Sequence, residues 1–397
     1  MVSKRIEHNR EIAIYAVLTY VVMLSLTLMA PVINDFIIKR FDASNTEASM
    51  FFTLEMIAYV IFAVVWGSLS DKYGRRKPFI VFGFAGSAVM YFLMAKANSL
   101  SLLLGLRFIQ GAITIMAWSL VMTSALDCAQ RKSYGKTMGL IGMAMMFGMA
   151  SGAPIGGLLA AKYGVFCPMY FASFLFMIGT MLSVTLIRDI RIENKPDSMF
   201  ESIRVLNEEK KLAIPYTFSF VDRFTIAFFI FVFPLYLIHT FGFGTAKVGL
   251  YQALLLFPLV LLQYPFGKLS DKIGRVIPLV IGSFFYGLEM CLVGFVGKTM
   301  LIAVVLSCGV FAAMMFPSSV ALAGDLSPRN KRGSAIGAFN VFGSLGFVAG
   351  FSVAGILSDV YSYDTCFIVG GFSEILMALL MIPFLLKLGV GVRTLKK

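Results

Sequence analysis

Twelve runs of about 20 mostly apolar residues follow one another along this chain, most of them separated only by short loops. They fall at 12–34, 47–69, 78–96, 100–126, 134–162, 165–187, 211–240, 246–267, 277–297, 299–324, 333–358 and 363–388. Each is long enough to cross the hydrocarbon core of a bilayer. In that medium every backbone N–H and C=O must find a partner inside the protein, so runs of this length are predicted to be α-helices. Only 14% of the 397 residues are charged, against about 25% in a soluble domain, too few to cover a water-facing surface. The first run follows a charged stretch and no small-residue cleavage site comes after it, so it reads as a membrane helix and not a removed signal. The net charge of +13 does not point to nucleic acid, because the basic residues sit in short loops. The five cysteines lie mostly within apolar runs and read as small apolar residues, with no disulfide framework or metal-ligand spacing.

The chain is written twice. Gly67, Leu69, Ser70, Asp71, Lys72, Gly74, Arg75 and Pro78 recur as Gly267, Leu269, Ser270, Asp271, Lys272, Gly274, Arg275 and Pro278, in each case between two apolar runs. Further on, Asp127 and Arg131 precede Gly135, Gly139, Gly148, Gly152 and Gly157. Asp325 and Arg329 precede Gly333, Gly337, Gly346, Gly350 and Gly355 at the same spacing. Small residues at four-residue intervals let membrane helices approach closely. Packing alone accounts for any one of them, and close, smooth packing also lets two halves rock. The one long polar insert follows the sixth run, so the expected organisation is a bundle over 1–187, a linker over 188–210 and a second bundle over 211–397. The fold class is thus an all-α membrane protein of twelve transmembrane helices in two pseudo-symmetric six-helix bundles. Of the 34 Lys and Arg, one side of such a topology holds just Lys39, Arg40, Lys96, Lys162, Lys247 and Lys298, with Arg107 and Arg223 inside the runs. By the positive-inside rule both termini, the linker and both repeated loops are cytoplasmic, in a multi-pass protein of the plasma (inner) membrane.

Twelve runs, a six-plus-six division and the paired Gly-x-x-x-Asp-x-x-Gly-Arg loops resemble the major facilitator superfamily over the whole chain. Finer detail is similar to its twelve-helix drug:proton antiporters. Gly67, Asp71, Gly74, Arg75, Arg76, Lys77 and Pro78 match that family's second–third loop, and Arg107, Gln110 and Gly111 match its fourth-helix signature. Gly139, Gly148, Gly152, Gly156 and Gly157 keep the spacing of its helix-five antiporter motif, with Pro154 one place from the family's position. Leu24, Ser25, Pro31 and Val32 approximate its first-helix pattern, with serine where glycine is usual. The resemblance implies that Arg107 acts in proton coupling, and that Asp71 and Arg75 latch the two halves in the outward-facing state. It also implies that helices one, four, seven and ten line a central cavity, and that the protein works as a monomer.

An ionisable group at membrane depth is costly unless paired or wetted. Arg107 stays charged and can hold a neighbouring carboxylate ionised; backbone carbonyls could equally satisfy it. Glu55, in the middle of the second run, suits a group that takes up and releases protons, or one bonded permanently to a neighbour. Asp35 lies at the outer end of the first run, as a further proton-coupling candidate or an interfacial residue. Asp222 and Arg223 point about 100° apart on a helix, so they do not simply pair. Asp222 is a second proton-carrier candidate and Arg223 a group that attracts an anionic substrate, with a gating salt bridge as the other reading. Glu289 and Glu374 fall in the ninth and twelfth runs, which the resemblance places at the periphery, and no function is assigned to them. His239 reads as a solvated cap.

Asp71 and Asp271 suit acceptors at a helix N-terminus, where the dipole favours an anion. With Gly67, Arg75, Arg76, Arg275, Asp127 and Asp325 they make the expected conformational latch. Met116, Trp118, Phe228 and Tyr236 are candidates for an apolar substrate lining, beside Arg223. No Gly-x-x-x-x-Gly-Lys-Ser/Thr loop is present, so no ATP-driven step is expected within this chain. The function expected is secondary transport, not enzymatic catalysis: proton-driven export of a small amphipathic molecule, without a cofactor. Import of an organic anion or sugar-like metabolite by symport or uniport, and lipid or lysolipid flipping, stand as alternatives. The partners expected are the substrate, protons and the bilayer, and not nucleic acid.

Overall fold

The structure, a computed structural model, describes residues 2–128, 134–188, 209–328 and 331–387. Arg131, Arg329 and most of the polar insert over 188–210 lie outside the described residues. The described residues form thirteen α-helices: α1 Val2–Thr27, α2 Ile33–Phe41, α3 Asn45–Tyr73, α4 Lys77–Ala95, α5 Leu100–Cys128, α6 Tyr134–Tyr163, α7 Cys167–Leu186, α8 Ala213–His239, α9 Thr245–Ile273, α10 Val276–Val293, α11 Lys298–Leu326, α12 Arg332–Val360 and α13 Tyr363–Lys387. Twelve are long and apolar enough to cross a membrane; α2 is the short exception.

Two local features depart from the sequence reading. The predicted first span, 12–34, is not one helix. α1 stops at Thr27, a tight turn carries the chain past Pro31, and α2 restarts at Ile33. Proline has no N–H to continue a helix, and the turn is closed instead by Ala30 N donating to Thr27 O (3.2 Å) and Ile33 N to Met29 O (3.0 Å). The second departure concerns the repeated basic loops. α3 runs on through Gly67 and Asp71 to Tyr73, and α9 through Gly267 and Asp271 to Ile273, so most of each motif is helical. Lys72 and Lys272 fall in the last turns, where the helix dipole favours a cation. The reversal itself needs only Gly74 (φ 63°) and Gly274 (φ 95°), left-handed positions that suit glycine.

The helices divide into two compact units. One comprises Met1–Ala43, Leu54–Pro196 and Gly244–Leu250; the other comprises Ser44–Thr53, Asp197–Phe243 and Tyr251–Lys397. The predicted halves differ from these in two short exchanges: the first turns of α3 group with the second unit, and those of α9 with the first. Helix pairing repeats between the units. In the first, α1 packs on α5, α6 and α7, and α4 on α5 and α7; in the second, α8 packs on α11, α12 and α13, and α10 on α11 and α13.

The spaced glycines set the closest of these pairings. A Cβ on Gly148 would stand 2.8 Å from the Tyr20 carbonyl, and one on Gly152 2.7 Å from that of Leu24, so α6 lies directly on the α1 backbone. Gly346 and Gly350 do the same for α12 on α8, meeting the carbonyls of Phe220 and Phe224. Gly157 closes on Thr245, whose hydroxyl donates to its carbonyl at 3.1 Å. In the second unit, the Asp359 carboxylate at the end of α12 accepts from Asn45 N (2.7 Å), Thr46 N (2.8 Å) and Thr46 Oγ1 (2.5 Å), capping α3.

Candidate functional site

Arg107, Gln110, Gly111 and Thr114 are spaced i, i+3, i+4 and i+7, which puts them on one face of α5. Gly111 is what lets that face reach α3. A Cβ there would stand 3.1 Å from the Ala58 Cβ and 3.1 Å from the Glu55 carbonyl. One turn back, the Arg107 guanidinium donates through Nη2 to the Glu55 carboxylate. Its Nη1 donates to Gln110 Oε1 (2.7 Å) and to the Tyr91 hydroxyl of α4 (3.2 Å). Tyr59 completes Glu55 by donating to its second oxygen at 3.1 Å. The chain continues from Gln110 Nε2 to Thr114 Oγ1 (2.6 Å) and on to Ser87 (2.7 Å). Arg107 is 1% exposed and Glu55 4%, so the pair sits in an apolar bundle with its hydrogen bonds supplied by side chains. Such a pair holds its geometry because every lost contact leaves a buried polar group unmet. Trp118 lies one turn beyond Thr114; its ring centroid is 6.1 Å from that of Tyr59 and its buried Nε1 has no hydrogen-bond partner.

The second unit holds a different arrangement. Asp222 is buried in the middle of α8, and its carboxyl lies against that of Glu374 on α13. The Arg223 guanidinium sits 4.8 Å above the Phe316 ring and 5.9 Å from that of Phe347. Phe228 packs against Gly370 and Phe224, and Tyr236 against Phe241 and Phe367 with its hydroxyl donated to the Val293 carbonyl at 3.2 Å. Met116 is likewise buried. Asp35 pairs with Lys39 at 2.8 Å on the short helix α2. His239 Nδ1 meets the Tyr363 hydroxyl at 2.9 Å, and Glu289 accepts from Ser307 at 3.0 Å.

The repeated motif builds one charge cluster in each unit. Arg76 Nε lies 2.7 Å from Asp127, and Nη2 3.5 Å from Asp71. Arg275 lies 3.0 Å from Asp325 and 2.5 Å from Asp271, and donates to Ser270 at 3.2 Å. Burial opposes the charge on Arg275, but its hydrogen bonds to Asp325 and Asp271 prevail and hold its pKa above the ordinary arginine value. The repeat is not literal: by alignment Arg275 corresponds to Arg75, yet the guanidinium between Asp71 and Asp127 comes from Arg76, where the second copy has Val276. Two of the predicted latch acids, Asp127 and Asp325, are thus joined to the motif within their own units. Gly67 has open space around its Cβ position.

Some of the first network was not visible in the chain. Tyr59 follows Glu55 by one helical turn and Thr114 follows Gln110 by one, which is a usable signal. Nothing in the sequence points to Tyr91 or Ser87, which arrive from α4. The sequence gives no role to Glu374; the glycines Gly370 and Gly371 one turn before it are the signal that its face is turned into the bundle and not into lipid.

Twelve membrane-length helices in two copies of one pairing scheme, with ionisable groups locked inside each copy, define a multi-pass membrane transporter and not an enzyme. The chain belongs to the Major Facilitator Superfamily, whose family model matches residues 15–218 and again 215–393. It is 27% identical to an uncharacterized MFS-type transporter of Methanocaldococcus jannaschii, over 89% of this chain and 92% of that one. It is 25% identical to multidrug resistance protein 2 of Bacillus subtilis, over 86% and 87%, and 26% identical to the class H tetracycline resistance protein of Pasteurella multocida, over 87% and 90%. Among solved structures, that of the nucleoside transporter NupG shares the fold, with a TM-score of 0.79 over 94% of this chain and 99% of that one at 12% identity.

Proposed function

We propose that this protein is a proton-driven exporter of a small amphipathic molecule, working by alternating access between its two halves. The observation that carries the proposal is the Glu55–Arg107 pair, buried between α3 and α5 at membrane depth. A carboxylate held by a guanidinium is stable while both are charged. When a proton binds the Glu55 oxygen, the charge attraction is lost, while Arg107 keeps its hydrogen bonds to Gln110 and Tyr91. The protonated and ionised forms therefore favour different side-chain arrangements, which is what coupling requires. Trp118 and Tyr59 flank the pair and supply an apolar, aromatic surface with one unused N–H. The names of the relatives in Bacillus subtilis and Pasteurella multocida, a multidrug and a tetracycline resistance protein, support export of drug-like compounds. The proton gradient supplies the energy, no cofactor is needed, and the protein acts as a monomer. The distribution of Lys and Arg supports a plasma-membrane location with both termini cytoplasmic.

The test is a transport assay in liposomes that enclose a pH-sensitive dye. Under an imposed proton gradient, lipophilic cations are expected to drive proton movement opposite to their own, and Glu55→Gln to abolish it. Undiminished coupling in Glu55→Gln and in Arg107→Gln would reject this mechanism. The second reading, symport of an organic anion, is favoured by Arg223, whose guanidinium rests on aromatic faces with one buried nitrogen unmet. Protons moving in the same direction as an added anion would replace the first reading with the second.

A further inference from the structure

Asp222, Thr225, Glu374 and Tyr286 come together near the middle of α8, α13 and α10. The acids and Tyr286 are each 0% exposed. Close packing at glycines puts Glu374 there: Gly371 lies on the Gly287 carbonyl and on Cys291, and Gly370 on Met290. Both oxygens of Asp222 and one of Glu374 lack any hydrogen-bond donor from the protein. The other Glu374 oxygen receives Thr225 Oγ1, at 3.3 Å, and the buried Ser283 hydroxyl lies beside the same carboxyl. The Tyr286 hydroxyl is buried against the same groups, beside Thr225 but outside good hydrogen-bond geometry. Two carboxylates in contact in an apolar interior cannot both stay charged, and a buried acceptor without a donor is costly. The cluster therefore lacks one thing, a donor between the two acids. The remaining charged or titratable neighbours are Arg223, whose guanidinium lies over Phe316, and Cys308, beside Tyr286.

We infer that Asp222 and Glu374 hold one proton between them and form a second proton-binding site, separate from Glu55–Arg107. The proton bonds to an oxygen of one carboxyl and hydrogen-bonds an oxygen of the other. One negative charge remains, beside Arg223. As a step in transport the site rests on the reading proposed above; as a protonated pair it stands without it.

Infrared difference spectroscopy of the purified protein in lipid tests the pair directly. At neutral pH the wild type is expected to show the carbonyl stretch of a protonated carboxylic acid, moved by deuterium exchange. That band is expected to be missing from the Asp222→Asn/Glu374→Gln double variant and kept in Glu55→Gln. Glu374→Gln alone supplies an amide N–H in place of the acid proton, so it is expected to fold, to lose the acid band and to show Asp222 as a carboxylate. An unchanged acid band in the double variant would overturn the inference, and so would its loss on replacing choline chloride with sodium chloride, which would mark a sodium site. Since the spectrum requires no transport, failure of the export reading leaves this result readable, and the reverse holds as well.

Discussion

The Arg76 guanidinium lies 2.7 Å from the Asp127 carboxylate and so fastens the start of α4 to the end of α5. In the second unit Arg275 does the same with Asp325, from a position one residue earlier in the repeat. What the two copies preserve is a cation between two helix-end acids, and the residue that supplies it has moved. Removing the cation leaves two partly buried acids facing each other. Arg76→Ala is expected to cost about 1–3 kcal/mol, below the 3–5 kcal/mol of a fully buried pair because water still reaches the cluster. A double-mutant cycle with Asp127→Ala, read by thermal unfolding in detergent, is expected to recover most of that as coupling energy; additive effects would show that the two do not interact.

Arg107→Ala strands the Glu55 carboxylate without its cation and is expected to destabilise the protein by about 3–5 kcal/mol. Glu55→Gln/Arg107→Leu removes both charges and is expected to regain much of that stability while remaining inactive. If the double variant melts no higher than Arg107→Ala, the pair is not what holds this region together. Arg107→Lys keeps the charge but not the fork that reaches Glu55, Gln110 and Tyr91, and is expected to lose transport.

Gly152 has no room for a side chain, with Thr27 and the Leu24 carbonyl in the way, whereas Gly139 faces open space. Gly152→Val is expected to cost at least about 1–3 kcal/mol by forcing α6 off α1. Gly139→Ala is expected to be neutral or mildly stabilising, by up to about 1 kcal/mol for helix propensity. Comparable melting temperatures for the two variants would mean that α1 and α6 are not in backbone contact.

Asp359 caps α3 from more than 300 positions away in the chain. Asp359→Ala frees two backbone N–H groups and a hydroxyl, and is expected to cost about 1 kcal/mol. Hydrogen exchange at Asn45 and Thr46 reports it locally: their amides are expected to exchange faster, with those in the middle of α3 unchanged. Equal protection at both amides would mean that the carboxylate is not their acceptor.

The chain alone determined the medium, the helices and their doubling. Long apolar runs have one stable form in lipid, and the repeated glycines and acids mark two copies of one plan. It also marked Glu55, Arg107 and Asp222 as groups that need a reason to be at membrane depth. Only the tertiary structure decided what each of them meets. Arg107 and Glu55 are 52 positions apart, and their contact depends on how closely Gly111 lets α5 approach α3. Glu374 reads as a peripheral acid until α13 is seen closing on α10 at Gly371 and Gly287, which turns the carboxyl onto Asp222. The same holds for Arg76, where one residue of offset at the start of α4 swings a guanidinium into place. Helical periodicity reports which face a residue occupies; the neighbour on that face is set by backbone approach between helices, which no local pattern contains.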